Sequence, residues 1–336
     1  MSIKVLRPGL LTSIQDLGRY GYQKHGVIVS GAMDSYSLRL ANLLVGNKEN
    51  QAVLEITLVG PALLIEKDIL LAITGGNLSP TVGGQPIPMD RPVFLRKGCI
   101  LQFGARKSGC RSYLAIAGGY NISEVMGSAS TYLRAGLGGF EGRALQTDDV
   151  LQLKDPQGKS ASLLRQLASS SSASSYVSTK WFLGKSHIPQ EGEPVKIRVM
   201  RGRQFEQFSG DSKDVFWNCP FQVSSQSDRM GYRLSGAGAV LKLAEPLEMI
   251  SEAVSLGTVQ VPPDGNPIIL LADRQTVGGY PKIAQVALVD VAVVAQLKPG
   301  SKICFQEISL QKAESLYLIR EQEIQALQRS IQLKMQ

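Results

Sequence analysis

The chain has 336 residues, 43% of them hydrophobic, which suffices for conventional cores and is more typical of two domains than of one. Lys and Arg number 36 against 28 Asp and Glu, a formal net charge of +8. The basic residues are scattered, without a Lys/Arg block or a nucleic-acid-binding motif, so they fit an acidic partner or an anionic substrate better than a nucleic acid. The first residues lack the apolar core of a signal peptide, and no apolar run is long enough to span a membrane. We therefore predict a soluble cytoplasmic protein.

Residues 1–157 are predicted to form a first β domain. Short apolar runs such as AVLEITLVG and RSYLAIAGG alternate there with Gly, Pro and Asp, a pattern typical of short strands between turns. The best helical pattern in this region is MDSYSLRLANLLVGN. Met33, Ser37 and Leu40 fall on one face of that helix, and Gly46 provides a stop signal.

A Ser- and Ala-rich segment follows this domain. Residues 158–178, GKSASLLRQLASSSSASSYVS, are mostly small and polar, a composition that predicts a linker or mobile loop within a linker spanning 158–194. Since such residues bury little area, we expect that 158–178 can be shortened without loss of the fold.

The strand-like pattern resumes in a second predicted β domain, residues 195–310, and the tail, 311–336, is predicted to be a helix. Apolar residues recur in the tail at roughly helical spacing. They are Leu316, Ile319, Ile324, Leu327 and Ile331. Two interpretations stay open: the helix packs on its own domain, or it is offered to a partner subunit.

Three short matches suggest that the two β domains arose by duplication. IKVLRPG at 3–9 aligns with IRVMRGR at 197–203, and at the same offset Asp34 of VSGAMD aligns with Asp228 of VSSQSD. GCILQF at 98–103 resembles GSKICF at 300–305 in the same order. A spacing near 200 residues is too long for a solenoid, so a duplicated domain with a cleft between copies is the better interpretation.

Cysteine and histidine patterns argue against several chemistries. Cys99, Cys110, Cys219 and Cys304 show no C-x-x-C spacing, so the ligand pattern of a zinc knuckle is missing. The two histidines of the sequence are too few for a histidine-rich metal site and weaken any Ser-His-Asp or Cys-His proposal. No resident metal site is predicted.

Four polar clusters follow strand-like segments and glycines. They are Gln15, Asp16 and Arg19; Asp34 with its repeat counterparts Asp228 and Arg229; Asn77; and Asp273, Arg274 and Gln275. Each cluster combines glycine with groups able to hold a carboxylate, an amide or a phosphate. Glycine-rich GRYGYQKHG and RAGLGGFEGRAL match neither a Rossmann nor a P-loop motif, so no nucleotide loop is predicted.

The stretch PIILLADRQTVGGYP, residues 267–281, poses the sharpest choice. An acid, a base and an amide directly after an apolar strand are costly in a core unless they are paired. One interpretation is a polar strand exit in which Asp273 pairs with Arg274. The other is a functional loop at the end of a rigid strand, where Gly278 and Gly279 allow close approach of a ligand.

Long motifs across nearly the whole chain resemble the allophanate hydrolase subunit 2, or biotin-dependent carboxyltransferase-like, family. The motifs that show this resemblance are QDLGRYGYQKHGVIVSGAMD, AGGYNISEVMGSASTYLRAGLGGFEGRAL, SDRMGYRLSG and QVPPDGNPIILLADRQTVGGYPKIAQV. Within this family the motifs are most similar to the C subunits of prokaryotic ATP-dependent 5-oxoprolinases, also described as KipI antagonists (KipA).

The resemblance implies a mainly β fold of two cyclophilin-like β-barrel domains with a C-terminal helix. It implies a complex with two further subunits, one KipI-like and one LamB/YcsF-like, that opens 5-oxoproline to L-glutamate, using ATP with Mg in the assembled complex. Two alternatives remain: a regulatory protein that antagonises the KipI inhibitor of a sporulation histidine kinase, and a biotin-dependent carboxyltransferase or allophanate hydrolase subunit. Asp228 and Met230 depart from the urea carboxylase motif, and a Met-Lys-Met biotin-attachment motif is missing, so biotin is not expected.

Motif positions imply the roles of the site residues. The catalytic group is Asp228, Arg229, Asp273 and Arg274, and the substrate-binding group is Gln15, Asp16, Arg19, Asp34, Asn77 and Gln275. The arginines would neutralise phosphate or the substrate carboxylate, and an aspartate would polarise a nucleophile or hold a metal with phosphate. Asn77 and Gln15 would orient the amide. We expect the segments that carry Arg229 and Arg274 to converge.

Overall fold

The computed structural model describes residues 2–170, 175–184, 188–190, 192–236 and 240–335. The chain divides into two compact units. The first unit comprises Met1–Arg19, Ser30–Ile188 and Gln322–Gln336, and the second comprises Tyr20–Val29 and Pro189–Glu321. Within the described ranges, no helix combines the length and apolarity needed to cross a membrane.

Short strands dominate the first unit, as the alternation of apolar runs and turn residues predicts. They are β1 (Ser2–Arg7), β2 (Leu11–Gln15), β3 (Val53–Thr57), β4 (Ala62–Ile65), β5 (Ile69–Asn77), β6 (Thr81–Val82), β7 (Gln85–Pro86), β8 (Val93–Leu95), β9 (Ile100–Gln102), β10 (Ser108–Ile116), β11 (Val150–Gln152) and β12 (Tyr176–Ser178). They form two six-stranded sheets, in the orders β11-β1-β4-β9-β6-β7 and β12-β8-β5-β10-β3-β2. Side chains from both sheets build one continuous apolar core, which includes Ile3, Leu54, Ile73 and Leu101.

Helix α1 (Ser35–Leu44) begins and ends where the sequence predicts. The carboxylate of Asp34 accepts a hydrogen bond from the backbone N–H of Ser37 at 2.9 Å and so caps the first turn. Gly46, with φ of 74°, takes the left-handed conformation that follows many helices. The buried face of α1, including Leu38 and Leu44, packs in a second apolar cluster with Tyr113 and Phe94.

The prediction of a linker at 158–194 is wrong for residues 158–170 and 176–178, which form a helix and a strand, whereas the described residues 179–184, 188–190 and 192–194 have no regular secondary structure. Helix α2 (Gly158–Ser170) buries Leu163 and Leu167 in the cluster around α1, and β12 pairs with β8. The many serines of this segment hid the helical spacing of its apolar residues, but two leucines four positions apart suffice to anchor one helical face. Residues 171–174, 185–187 and 191 of this segment lie outside the described residues.

The second unit contains a closed barrel. Its strands are β13 (Val195–Arg201), β14 (Phe221–Val223), β15 (Gly231–Gly236), β16 (Glu252–Ala253), β17 (Thr258–Gln260), β18 (Ile268–Leu270), β19 (Val277–Gly278), β20 (Lys282–Val286) and β21 (Lys302–Glu307). Seven of them close in the order β13-β20-β17-β18-β15-β14-β21, while β16 and β19 form a separate ribbon. The rings of Phe216 and Phe305 stack with centroids 4.4 Å apart, and the ring of Phe221 lies 5.7 Å from that of Phe305.

Three further helices complete the described part of the chain. They are α3 (Gly210–Asn218), α4 (Leu288–Ala295) and α5 (Leu310–Lys334). Asp290 of α4 is buried and accepts hydrogen bonds from the backbone N–H of Arg198 at 2.8 Å and from its Nε at 2.9 Å, which ties α4 to β13. Short 3-10 turns occur at Gln23–His25, Leu133–Ala135 and Phe205–Gln207. The predicted mainly β fold with a C-terminal helix is confirmed.

The unit boundaries differ from the predicted domains, 1–157, 195–310 and 311–336. Residues 20–29 belong to the second unit although they lie early in the sequence, and the end of α5 belongs to the first unit. Both features depend on long-range packing, which local patterns do not report. Residues 237–239 and 336 of the predicted elements lie outside the described residues.

Two of the three repeat matches fall on the same kind of element. The first match lies on β1 and β13, and the third lies on β9 and β21. The middle match does not: Asp34 precedes a helix, whereas Asp228 precedes strand β15. The expected equivalence of Asp34 and Asp228 is therefore wrong.

The packing of α2 predicts that shortening 158–178 destabilises the first unit. Leu163→Ala and Leu167→Ala should each lower the free energy of unfolding by about 2–4 kcal/mol, the usual cost of removing a buried leucine side chain. Urea denaturation of the purified chain measures this loss. Gln166→Ala, an exposed change on the same helix, should stay within about 0.5 kcal/mol of the unmodified protein. Equal denaturation midpoints for Leu163→Ala and Gln166→Ala would contradict the observed packing.

Candidate functional site

Pairing of β15 with β18 brings two predicted polar segments together. Gly231 lies opposite Leu270 in this antiparallel pair, so the residues before β15 meet the residues after β18. The backbone N–H of Leu271 donates to the carbonyl of Met230, and that of Asp273 donates to the carbonyl of Arg229, both at 2.9 Å. The expected convergence of the two segments is therefore observed.

Arg229 and Asp273 form a buried bidentate ion pair. Arg229 Nε lies 2.9 Å from Asp273 Oδ2, Arg229 Nη2 lies 3.0 Å from Asp273 Oδ1, and the two side chains are 5% and 8% exposed. Asp273 is thus paired with Arg229. The interpretation in which Asp273 pairs with Arg274 does not match the structure. Because each charge compensates the other, the pair fixes the loop and leaves neither group well suited to bind a substrate or to act as a base.

Arg274, the next residue, lines a cavity of about 700 Å³ within the second unit. Its Nη1 donates to the carbonyl of Leu271 at 3.3 Å, while its buried Nε has no hydrogen-bond acceptor among the described residues. Burial lowers the pKa of the Arg274 guanidinium, and the neighbouring Tyr20 acts in the opposite direction. Arginine nevertheless stays charged in proteins, so Arg274 presents a cation with an unused donor.

The barrel and α5 supply most of the cavity wall. Apolar side chains predominate; the lining residues are Tyr20, Met200, Ser255, Leu256, Arg274, Gln285, Val286, Leu288, Leu310, Ala313, Glu314, Tyr317 and Leu318. Gln285 is satisfied by its neighbours, since its Nε2 donates to the carbonyl of Leu256 at 2.7 Å and its Oε1 accepts from Ser255 Oγ at 2.9 Å. Among the described lining residues, Arg274 is the one cation.

This arrangement suits the binding of an anion. A cation in a largely apolar cavity attracts a carboxylate or phosphate more strongly than it would in water, because the local dielectric is low. A guanidinium can hold either group with directed N–H donors. Arg274 can therefore neutralise a bound anion in this cavity, whose wall also carries the carboxylate of Glu314.

The other predicted residues of the second unit contribute differently. Asp228 is exposed, and its Oδ1 accepts from the backbone N–H of Met230 at 2.8 Å and of Gly231 at 3.2 Å, which caps the turn before β15. Gln275 Nε2 donates to Gln260 Oε1 at 3.4 Å. Both side chains therefore have local partners, and neither lines the cavity at Arg274.

Gln15, Asp16 and Arg19 lie buried in the first unit. Asp16 accepts hydrogen bonds from the backbone N–H of Gly18 and Ala129 and from Ser128 Oγ, at 2.6–2.8 Å. Arg19, fully buried, donates to backbone carbonyls that include that of Val125 at 2.8 Å. These contacts hold the segment around 125–131 against β2. The three residues are at most 8% exposed and do not line the cavity at Arg274, and their substrate-binding role stays a prediction.

Asp34 and Asn77 are also separate from the cavity at Arg274. Asp34 is fully buried and caps α1, and its contact with substrate stays a prediction. Asn77 Oδ1 accepts from the backbone N–H of Ser79 at 2.9 Å, and Asn77 lines a smaller cavity of about 250 Å³ beside Lys107. Of the ten residues predicted for the site, Arg274 alone lines the larger cavity.

Sequence reasoning missed Tyr20, Gln285 and the α5 residues of the wall. Tyr20 lies between Arg19 and Gly21 in a cluster that was recognised, but no local signal shows that residues 20–29 join the second unit. The tail pattern predicted a helix correctly. Leu310 lies before the predicted helix, and Tyr317 lies outside the apolar spacing used for that prediction. The sequence pattern therefore did not indicate either residue as part of the wall.

Comparisons with known proteins place the chain in a family. Residues 25–307 match the carboxyltransferase domain, subdomain A and B. The chain is 39% identical over 311 residues to the 5-oxoprolinase C subunit of Escherichia coli, covering 93% of each chain. It is 38% identical over 304 residues to the 5-oxoprolinase C subunit of Haemophilus influenzae, covering 90% of each.

Solved structures agree with this assignment. The urea amidolyase of K. lactis superposes with a TM-score of 0.85 at 34% identity, over 97% of this chain and 20% of the amidolyase chain. The protein TTHA0988 superposes with a TM-score of 0.74 at 32% identity, over 91% of this chain and 55% of that chain. The resemblance found in the motifs is thereby confirmed: the chain belongs to the carboxyltransferase domain family, subdomain A and B, together with the 5-oxoprolinase C subunits.

Proposed function

We propose that the chain is the C subunit of an ATP-dependent 5-oxoprolinase, which opens 5-oxoproline to L-glutamate together with a KipI-like partner and a LamB/YcsF-like partner. One observation carries this proposal: the C subunits of E. coli and H. influenzae match over at least nine-tenths of both lengths. The urea amidolyase of K. lactis shares the fold, but this chain spans only 20% of it. The share of each relative that the chain covers and the sequence identity therefore both favour the 5-oxoprolinase C subunit.

The chemistry of 5-oxoproline explains a need for ATP and for a cation. The ring is an unstrained lactam, and amide resonance makes its direct hydrolysis slow. Transfer of the terminal phosphoryl group of ATP to the amide oxygen, with release of ADP, would remove the amide resonance. Water could then add to the ring carbon and the C–N bond could break to give γ-glutamyl phosphate, which a second water would hydrolyse to glutamate and phosphate. Binding of ATP, with Mg, is proposed for the assembled complex; no role for biotin is proposed.

Within this chain, Arg274 is the residue that we assign to the substrate. Its unused Nε and its place on the cavity wall suit it to hold the carboxylate of 5-oxoproline or the transferred phosphoryl group. Arg229 and Asp273 act as positioning residues, since their ion pair fixes the loop from which Arg274 projects. Asp228 stabilises the turn before β15.

A regulatory binding role is the second candidate. The predicted polar clusters do not share the cavity at Arg274, and nine of the ten predicted residues have places elsewhere. Such a distribution fits a protein that offers surface to a KipI-like inhibitor of a histidine kinase without catalysing a reaction. Both functions use the same class of partner, so an activity assay separates them.

The purified chain alone should not hydrolyse ATP in response to 5-oxoproline, because its sequence lacks a recognisable nucleotide loop. Addition of the KipI-like and LamB/YcsF-like proteins from the same organism should restore turnover, measured as phosphate and glutamate released in equal amounts. Robust turnover by the single chain would contradict its assignment as one part of a complex. A complex that forms but stays inactive would favour the regulatory role.

Arg274→Ala should lower kcat/KM for 5-oxoproline more than tenfold in the assembled complex, equivalent to about 1.4 kcal/mol or more of lost transition-state stabilisation. The free energy of unfolding should change by less than about 1 kcal/mol, since the side chain makes one long hydrogen bond. Arg203→Ala is the matched control, because Arg203 lies in the same unit and is 75% exposed. Equal kcat/KM values for the two variants would remove Arg274 from the site.

Arg229→Met should instead act through stability. It leaves the buried carboxylate of Asp273 without its cation, which costs about 3–5 kcal/mol when a buried pair is broken. The double variant Arg229→Met/Asp273→Leu removes both charges and should be more stable than Arg229→Met alone. Urea denaturation of the three proteins tests this order. A loss below about 1 kcal/mol for Arg229→Met would show that the ion pair does not hold the loop.

A further inference from the structure

A carboxylate interrupts the apolar face of α5 that lines the cavity at Arg274. The α5 residues on the cavity wall are Leu310, Ala313, Glu314, Tyr317 and Leu318. Their spacing of i, i+3, i+4, i+7 and i+8 is that of one face of a helix. Glu314 is the charged member of this face and lies at its centre, between apolar and aromatic neighbours. A charge at a position where the pattern calls for an apolar residue is typical of functional sites.

No partner within the helix accounts for this charge. An intrahelical ion pair needs a basic side chain three or four positions away. Those positions hold Leu310, Gln311, Tyr317 and Leu318. In the part of the chain that the structure describes, the carboxylate of Glu314 forms no hydrogen bond and no salt bridge. Glu314 is exposed, so its oxygens can accept hydrogen bonds from a ligand in the cavity.

Arg274 places the opposite charge on the same wall. Its Nη1 donates to the carbonyl of Leu271, while its buried Nε has no acceptor among the described residues. Arg274 and Glu314, both of them described, form no salt bridge with each other. Ser255 and Gln285, which also line the cavity, hydrogen-bond to each other at 2.9 Å. The wall therefore offers one cationic and one anionic group, both available to the same ligand.

A ligand that matches these two groups carries an anion and an N–H donor close together. In 5-oxoproline the carboxylate stands on the carbon next to the ring nitrogen, so both groups lie on adjacent ring atoms. Opening of the ring turns this nitrogen into the ammonium group of glutamate, which a carboxylate also attracts. Hydrogen bonds to an ionised acceptor are stronger than those between neutral groups. Substrate and product both fit a cation paired with an acid.

We propose that Glu314 is the specificity-determining residue of this cavity and accepts the ring N–H of 5-oxoproline while Arg274 holds the carboxylate. The inference rests on the proposed function and identifies the part of the substrate that this chain recognises. Glu314 repels a second anion at its end of the cavity, which fixes one orientation of the ligand. Glu314 lies outside residues 25–307, the range that matches the family model. Its recognition role therefore belongs to a part of the wall that the family model does not include.

Two ligands that differ in the ring N–H alone test this recognition. 3-Oxocyclopentane-1-carboxylate keeps the carboxylate and the ring carbonyl of 5-oxoproline but has CH₂ in place of N–H. Isothermal titration calorimetry of the assembled complex, with Mg and a non-hydrolysable ATP analogue, gives both affinities. The unmodified complex should bind 5-oxoproline more than tenfold more tightly than the analogue, because the analogue leaves the carboxylate without its donor. Glu314→Ala should abolish this preference, whereas Arg274→Ala should weaken both ligands alike.

Glu323→Ala is the matched control, because Glu323 is an exposed acid on the same helix that does not line this cavity. This variant should keep the full preference for 5-oxoproline, and its thermal melt and that of Glu314→Ala should equal that of the unmodified protein. A preference that survives in Glu314→Ala, or equal affinities for the two ligands in the unmodified complex, would overturn the inference.

The proposed function is judged separately, by 5-oxoproline-dependent ATP turnover of the three unmodified proteins together. An active complex in which Glu314→Ala keeps the preference would overturn the role of Glu314 and uphold the reaction. An inactive complex that loses the preference in Glu314→Ala would uphold the recognition and overturn the reaction. An inactive complex that does not bind 5-oxoproline would overturn both.

Discussion

The ion pair between Arg229 and Asp273 is the interaction on which the candidate site depends. It joins the residues before β15 to the loop after β18, inside a barrel whose strands already place the two segments side by side. Two charges taken out of water are tolerated here because both N–H···O contacts are short and paired. The adjacent Arg274 is consequently held at the cavity with its own Nε unpaired.

The need of a buried charged group for a partner also distinguishes the charged residues that stabilise the fold from Arg274. Three further aspartates from the motifs make local hydrogen bonds that stabilise the fold. Asp16 binds backbone and serine groups, Asp34 caps α1, and Asp228 caps a turn. Asp16 and Asp34 satisfy buried donors, whereas Asp228 is exposed and satisfies backbone N–H groups of its turn. Arg274 differs because it combines a place on a cavity wall with a buried donor that no described residue accepts. That combination, and not its place in a motif, makes it the candidate for binding an anion.

Much of the fold could be predicted from the sequence, because strand and helix patterns are local. The runs that form β3, β5 and β10 and the stop residue Gly46 of α1 are visible without tertiary information, whereas Asp34 was assigned to substrate binding and not recognised as the cap of α1. The helix α2 was missed since serines masked Leu163 and Leu167, whose burial depends on partners distant in sequence. The membership of residues 20–29 in the second unit, and so the role of Tyr20, depends on the same kind of long-range packing. For the site, the loop at 273–275 was recognised, but the partner of Asp273 could be identified only from strand pairing.

A structure of the assembled complex with 5-oxoproline bound shows directly whether Arg274 holds the substrate. An anionic oxygen of the substrate should lie within hydrogen-bonding distance of Arg274 Nε, about 3 Å, while Arg229 and Asp273 keep their ion pair. Substrate bound elsewhere in the complex, with Arg274 Nε still lacking an anionic partner, would contradict it.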